Sequence, residues 1–422
     1  MHRLRTFLAN RRGGAWALLD QAMVTGCSFL TNIYMVRELG LESYGVFVIL
    51  YAWMLLAWSA QIALFISPLM SLSPMVEDLQ ERRNYMRGMN TLQFAFALPC
   101  GMCLLVGVIA VRGMAGLPAA VALASTGVLF QLQETVRRYF FAAEKSRTAF
   151  ANDAISYIGQ LVLLVVFSAR HMLNVNNCMW AIGLSSGAAV AVALFSTSLL
   201  GTVRQAQRSW ARSKQLAYGL FLFTQLGWAN TQGVLMLISV LVGPAAGGIL
   251  KVAQTVMGPF NVFFLATENV IPRRASEHFV VAKVKGVYEY LKRLAIWGEV
   301  FMLIPCIALV LLSGPLAKLI LKHPSHEVAV QISLQSGYAF LALSFRLLTY
   351  FFRTLERPRV LVAANVVLLA SSVGVTLLFA SRWGAAAAGC GLLLGEFLSV
   401  LFMYAVARKI KSSAAIIELR IA

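Results

Sequence analysis

Residues 18–47 read LLDQAMVTGCSFLTNIYMVRELGLESYGVF, and residues 241–260 read LVGPAAGGILKVAQTVMGPF. In the first stretch Gln21, Thr25, Ser28 and Asn32 interrupt an apolar run at steps of four, three and four, the spacing that stacks side chains on one helix face. A short charged break follows, and a second apolar run begins beyond Gly40. Gly40, Tyr44 and Gly45 stand 203 residues before Gly243, Gly247 and Gly248, so both glycines repeat at one offset. Two helix pairs joined at glycine turns, one in each half of the chain, are therefore expected, with an internal duplication behind them.

Composition extends this reading to the whole chain. With 59% hydrophobic and 13% charged residues and a mean hydropathy of +0.75, the chain cannot keep a water-facing surface throughout. Apolar runs of about 20 residues, long enough to cross a bilayer core as helix, recur from residue 14 to 406. Twelve spans are expected at 14–36, 43–66, 90–111, 116–141, 150–169, 177–200, 216–242, 245–272, 294–315, 329–353, 358–381 and 385–406. The longest polar gaps, 67–89 and 273–293, follow the second and eighth spans, and both are basic and helical in pattern. The expected fold is thus an all-α polytopic membrane protein in two six-helix pseudo-repeats, 1–213 and 214–422, divided in the basic stretch from Thr202 to Lys214. An even number of spans per repeat keeps both halves in one orientation, related by an axis along the membrane normal.

The formal charge of +19 invites a nucleic-acid reading, and the placement of the cations answers it. Of the 36 Lys and Arg, 28 fall at the amino terminus, in or at the edges of the segments after even spans, or at the carboxyl terminus, against 6 in the intervening loops. That bias is the positive-inside rule for a protein with both termini in the cytoplasm, so charge reports topology and no nucleic-acid partner is expected. The opening MHRLRTFLANRR runs into the first span without a small-residue cleavage pattern, which predicts an uncleaved first helix. Cys27, Cys100, Cys103, Cys178, Cys306 and Cys390 lie in or beside apolar spans and read as small hydrophobes, the CxxC of Cys100 and Cys103 included. His323, His326 and Glu327 share one loop without a defined ligand geometry, so neither metal nor cofactor is expected.

Polar side chains inside spans are costly unless they face protein or water. Besides the stripe in the first span, Tyr218, Gln225 and Gln232 recur every seven residues in the seventh, and Lys251, Gln254, Gly258, Asn261 and Glu268 follow a helical rhythm in the eighth. Hydrogen-bonded glue between helices explains any one of these residues; three stripes at matching places in the two halves favour a shared hydrophilic lumen. Of the charged residues within spans, Lys251, Arg346 and Glu396 are the deepest. Asp20 and Glu268 lie nearer the cytoplasmic ends, and Glu134 has Arg137 and Arg138 within one turn, where local pairing is the plain alternative to a functional role.

The two stretches quoted at the outset resemble the multidrug/oligosaccharidyl-lipid/polysaccharide (MOP) exporter superfamily, and within it the polysaccharide transporters, the Wzx-type flippases. The resemblance covers the whole chain in length, helix count and pseudo-repeat, and its motifs identify the superfamily better than the substrate. It implies a MATE-like V of two six-helix bundles with helices 1, 2, 7 and 8 lining the cavity. It also implies that an undecaprenyl-diphosphate-linked oligosaccharide is moved from the cytoplasmic to the periplasmic leaflet of a bacterial inner membrane, by alternating access. The lipid II flippases of the superfamily carry two further C-terminal helices that this chain lacks.

On that reading Lys251 and Arg346 bind the anionic diphosphate, and Gln21, Asn32, Gln225, Gln232, Gln254 and Asn261 hydrogen-bond the sugars. Asp20, Glu396, Glu134 and Glu268 are candidates to couple a proton or sodium ion. Membrane lipids, a polysaccharide polymerase and a chain-length regulator are the expected partners. A cation-coupled multidrug antiporter of the same fold is the nearest alternative, against which a lysine and an arginine in the cavity count. A glycan polymerase or ligase needs a large outside domain, and the longest outside loop, about 314–328, is too short for one; no enzyme is expected.

Overall fold

The computed structural model describes the backbone of residues 2–322 and 325–421, and side chains within 15–412 except those of 112, 261, 262, 265, 266, 269, 270, 273, 323 and 324. Asn261 and His323 therefore lie outside the described side chains. The described backbone is helical almost throughout, in order α1 (His2–Gln61), α2 (Ser67–Leu72), α3 (Leu79–Arg112), α4 (Leu117–Ala142), α5 (Ser146–Ala169), α6 (Val175–Ser196) and α7 (Val203–Trp228). Then come α8 (Val234–Leu241), α9 (Pro244–Val256), α10 (Gly258–Leu311), α11 (Ser313–Ile320), α12 (His326–Thr354), α13 (Pro358–Trp383) and α14 (Ala386–Ile421).

Among the described residues nine helices are long and apolar enough to cross a membrane. The first of them, Ala15–Met75, contains two traverses, because Gly40 breaks it with a φ of 75° and ψ of 166°. The two remaining expected spans, the seventh and eighth, fall on the helical stretches 203–241 and 244–281, which are not among those nine. Both are broken or diluted by polar groups: a π-helical segment, Ala229–Gly233, divides the first, and the second is interrupted at Met257 before Gly258 and Pro259. The polar gaps are helical as expected; 67–75 continues the preceding helix, and α10 turns at Ala282 and Lys283.

The chain forms two compact units, Met1–Trp228 and Ala229–Ala422. The boundary expected at 213/214 falls inside the continuous helix α7, and the units divide at the end of that helix. Side chains explain the division. Ser59 Oγ donates to Gln225 Oε1 at 3.0 Å and Trp228 Nε1 donates to the Ala52 carbonyl at 3.1 Å, which ties α7 into the first unit. Asn230 Nδ2 donates to Asn365 Oδ1 at 2.9 Å, which ties the π segment to α13 in the second.

Each unit repeats one pairing scheme: α3 on α4, α4 on α6 and α5 on α6 in the first, and α10 on α12, α12 on α14 and α13 on α14 in the second. Small residues permit the contacts. A Cβ on Gly183 would meet Thr126 Oγ1 at 2.7 Å, and one on Gly389 would meet the Gln331 amide at 2.6 Å, at the equivalent α4/α6 and α12/α14 crossings. The matched turn glycines also share a conformation, Gly40 at φ 75° and Gly243 at φ 127°, which side-chain-bearing residues adopt only at a cost.

Candidate functional site

In the first unit the decisive residue is Arg137, on the buried face of α4. Its guanidinium lies 3.0 Å from Asp20 Oδ2, 3.4 Å from Glu134 Oε1 and 2.7 Å from Asp153 Oδ2, which join it from α1, α4 and α5. Arg137 is 8% exposed, Asp20 and Glu134 1% each, and Asp153 not at all. Arg138 reaches Glu134 Oε2 at 3.5 Å, and Gln133 Nε2 donates to Asp153 Oδ1 at 2.8 Å. With every group ionised, three carboxylates and two guanidiniums leave one negative charge in excess. A buried excess charge of that kind calls for a proton or a bound cation. The phenols of Tyr51 and Tyr157 stand within electrostatic reach of Glu134.

A neutral network lies next to this cluster. Gln61 Nε2 is 3.1 Å from Gln93 Oε1, 3.0 Å from the Gln131 carbonyl and 2.9 Å from Thr135 Oγ1, all fully buried. Gln160 Nε2 donates to Thr31 Oγ1 at 3.1 Å, joining α5 to α1. The first-span stripe is satisfied close to home: Gln21 Nε2 donates to Thr25 Oγ1, Asn32 Nδ2 donates to the Ser28 carbonyl, and the Tyr44 hydroxyl donates to Asn32 Oδ1 at 2.7 Å. Gln225 accepts from Ser59 while its Nε2 is buried without a partner among the described residues.

In the second unit Lys251 and Gln254 are half-buried on α9, and no ion pair among the described residues engages Lys251. The Arg346 guanidinium on α12 lies over the Phe264 ring, 4.7 Å from its centroid. Glu396 on α14 is 2% exposed, and Arg346 is the charged group that acts on it electrostatically. Gln232 is half-buried in the π segment, its Oε1 unpartnered among the described residues. Glu268 is exposed and pairs with Arg353 at 3.4 Å. Among the described residues no three His, Cys, Asp or Glu side chains are grouped to hold a metal ion.

The sequence reading thus named Asp20 and Glu134 separately and passed over Asp153, Arg137 as their common partner, and the Gln61 network. Asp153 opens an otherwise ordinary span only three residues from its expected edge, where a carboxylate reads as a solvated end.

No protein-family profile matches the chain, and no curated protein matches it in sequence. Solved structures do match in fold. A multidrug resistance MATE family transporter of the MOP superfamily, in an inward-facing conformation, aligns with a TM-score of 0.70 at 11% identity over 95% of both chains. The lipid II flippase MurJ aligns with a TM-score of 0.69 at 11% identity over 94% of this chain and 87% of its own. A MOP superfamily transporter from Pyrococcus furiosus, described as having a binding pocket of reversed polarity, gives 0.66 at 12% identity over 95% and 96%. The chain is a multi-pass helical membrane protein with the fold of MOP superfamily transporters.

Proposed function

We propose that this chain, built on the MOP transporter fold, is an ion-coupled flippase for a lipid-linked oligosaccharide, working by alternating access in a bacterial inner membrane with both termini in the cytoplasm. The observation that carries the reading is the division of charge between the two units. Three buried acids of the first unit are gathered around Arg137, whereas Lys251 in the second has no ion pair among the described residues and Arg346 rests on an aromatic face with Glu396 as its charged neighbour. A cation held in a low-dielectric site without an acid partner suits a diphosphate, and Gln225, Gln232 and Gln254 offer hydrogen bonds to sugars. The excess negative charge around Asp20, Glu134 and Asp153 suits the coupling ion, with Glu396 a second candidate. The Pyrococcus furiosus transporter, whose reversed pocket polarity is described as suggesting a different function, is a precedent for a change of function within this fold. On this reading the polysaccharide polymerase and chain-length regulator act downstream of the chain.

The test is substrate movement in the producing cell. Lys251→Ala with Arg346→Ala should abolish surface polysaccharide and accumulate the lipid-linked repeat on the cytoplasmic side, with membrane insertion unchanged. Normal polysaccharide in that double variant removes the proposal. The buried acids favour a second reading, a cation-coupled drug antiporter; it predicts that the chain lowers ethidium accumulation and that Asp20→Asn abolishes the effect.

A further inference from the structure

The first unit carries a second charged site outside the span interior. Helix α7 opens with a reciprocal cap: Thr202 Oγ1 accepts from the Gln205 amide at 3.3 Å, and Gln205 Oε1 accepts from the Thr202 amide at 2.8 Å. Arg204, Arg208 and Arg212 follow at steps of four, which sets them on one helix face. Across from them stand Glu81 and Asn84 of α3, and the two helices enclose a cavity of about 400 Å³. Arg212 is neutralised by Glu81 at 3.1 Å. Arg204 and Arg208 line the cavity with no acid or hydrogen-bond partner among the described residues.

The cavity is rigidly built. Gln205 Nε2 donates to Asn84 Oδ1 at 2.9 Å, and Ser209 Oγ donates to the Tyr85 carbonyl at 3.1 Å. The preceding segment is strapped to α3 by Arg87, which donates to the Ser198 carbonyl, and by Asn90, which donates to the Leu199 carbonyl. In the sequence next to the lining residues Thr202 and Arg204, Leu200 and Val203 are 44% and 71% exposed, an apolar fringe that belongs in lipid. Tyr218, two turns beyond Trp210 and in ring contact with it at 5.8 Å, gives the aromatic pair typical of a membrane interface.

We infer that this cavity binds the phosphate headgroup of an anionic phospholipid, with Arg204 and Arg208 as its ligands and the acyl chains lying on the apolar fringe. The required chemistry is a phosphate-bearing anion; the fringe, useless to a soluble anion, assigns the lipid as its source. Guanidinium groups suit the task because they meet phosphate oxygens two at a time. The inference needs only the membrane location and is independent of the transported substrate.

The experiment is native mass spectrometry of the purified full chain titrated with phosphatidylglycerol or with phosphatidylcholine of the same acyl chains. The unaltered protein should retain one phosphatidylglycerol preferentially, and R204Q/R208Q should weaken that binding by about tenfold or more, since both juxtamembrane cations that meet the headgroup are lost. R204K/R208K, which keeps the charge and loses the planar fork, should fall between them and also serves if the glutamine variant fails to fold. R359Q, outside the cavity, should bind as the unaltered protein does. Equal retention by the double variants, or an equal loss in R359Q, overturns the proposal. So does binding of inorganic diphosphate that depends on Arg204 and Arg208 while phosphatidylglycerol binding does not.

Discussion

Glu144 and Glu356 occupy the same left-handed position in the same turn of the two units, with φ of 59° and 52°. Each follows a long helix and closes it identically. The Lys145 amide donates to the Phe140 carbonyl at 2.8 Å and the Arg357 amide to the Phe352 carbonyl at 2.9 Å, while Glu144 donates to Phe141 at 3.0 Å and Glu356 to Arg353 at 3.1 Å. This is a Schellman closure, repeated. It supplies a register between the halves that is independent of the glycine turns. Glu134 stands ten residues before Glu144 and Arg346 ten before Glu356, so an acid in one unit answers a base in the other. Asp153 likewise answers Asn365.

The left-handed conformation costs a side-chain-bearing residue about 1–2 kcal/mol. Glu356→Gly should therefore raise the unfolding temperature of the detergent-solubilised protein, and Glu356→Val should lower it. Glu144→Gly should gain less, because the Glu144 carboxylate also accepts from Arg82 at 3.3 Å. Equal melting of the glycine and valine variants at position 356 would show that the turn carries no strain.

Removing Arg137 leaves three carboxylates buried together. Arg137→Met should destabilise the protein by about 3–5 kcal/mol, the range for stranding one side of a buried ion pair. Adding Asp20→Asn, Glu134→Gln and Asp153→Asn should recover most of the loss, because all three stranded charges are then gone. Thermal unfolding of the single and quadruple variants measures both, and non-additivity between these neighbours is the expected signature.

Gly247 packs against the end of α8, where an added Cβ would overlap Ser239 Oγ. Gly247→Ala should cost about 1–3 kcal/mol by overpacking. Ser239→Ala should relieve it only in part, since the Ser239 Cβ would remain at 3.2 Å. The same substitution at Gly26, where a Cβ meets nothing within 4 Å, should be near neutral.

A reporter fused after residue 422 should be active only if it works in the cytoplasm, as should one fused within 202–214, because both sites lie on the basic side. A periplasmic reporter active at the carboxyl terminus would refute an even number of spans.

The sequence by itself determined where the membrane helices run, because a bilayer core demands apolar stretches of bilayer length whatever the helices later touch. It also determined the two glycine turns, since positive φ leaves glycine as the inexpensive choice and Gly40 and Gly243 repeat at one offset. Periodicity showed that Gln21 through Asn32 share a face, but a face does not name its partner. Only the tertiary structure decided that Asn32 serves Tyr44, that Glu268 lies exposed beside Arg353, and that Asp153 belongs with Asp20 and Glu134. Asp20 and Arg137 are 117 residues apart in sequence, and no local spacing announces a contact made by packing three helices together. The left-handed Glu356 was equally silent, because glutamate carries no turn signal of its own and accepts that conformation only where the helix end and the packing around it over-determine the backbone.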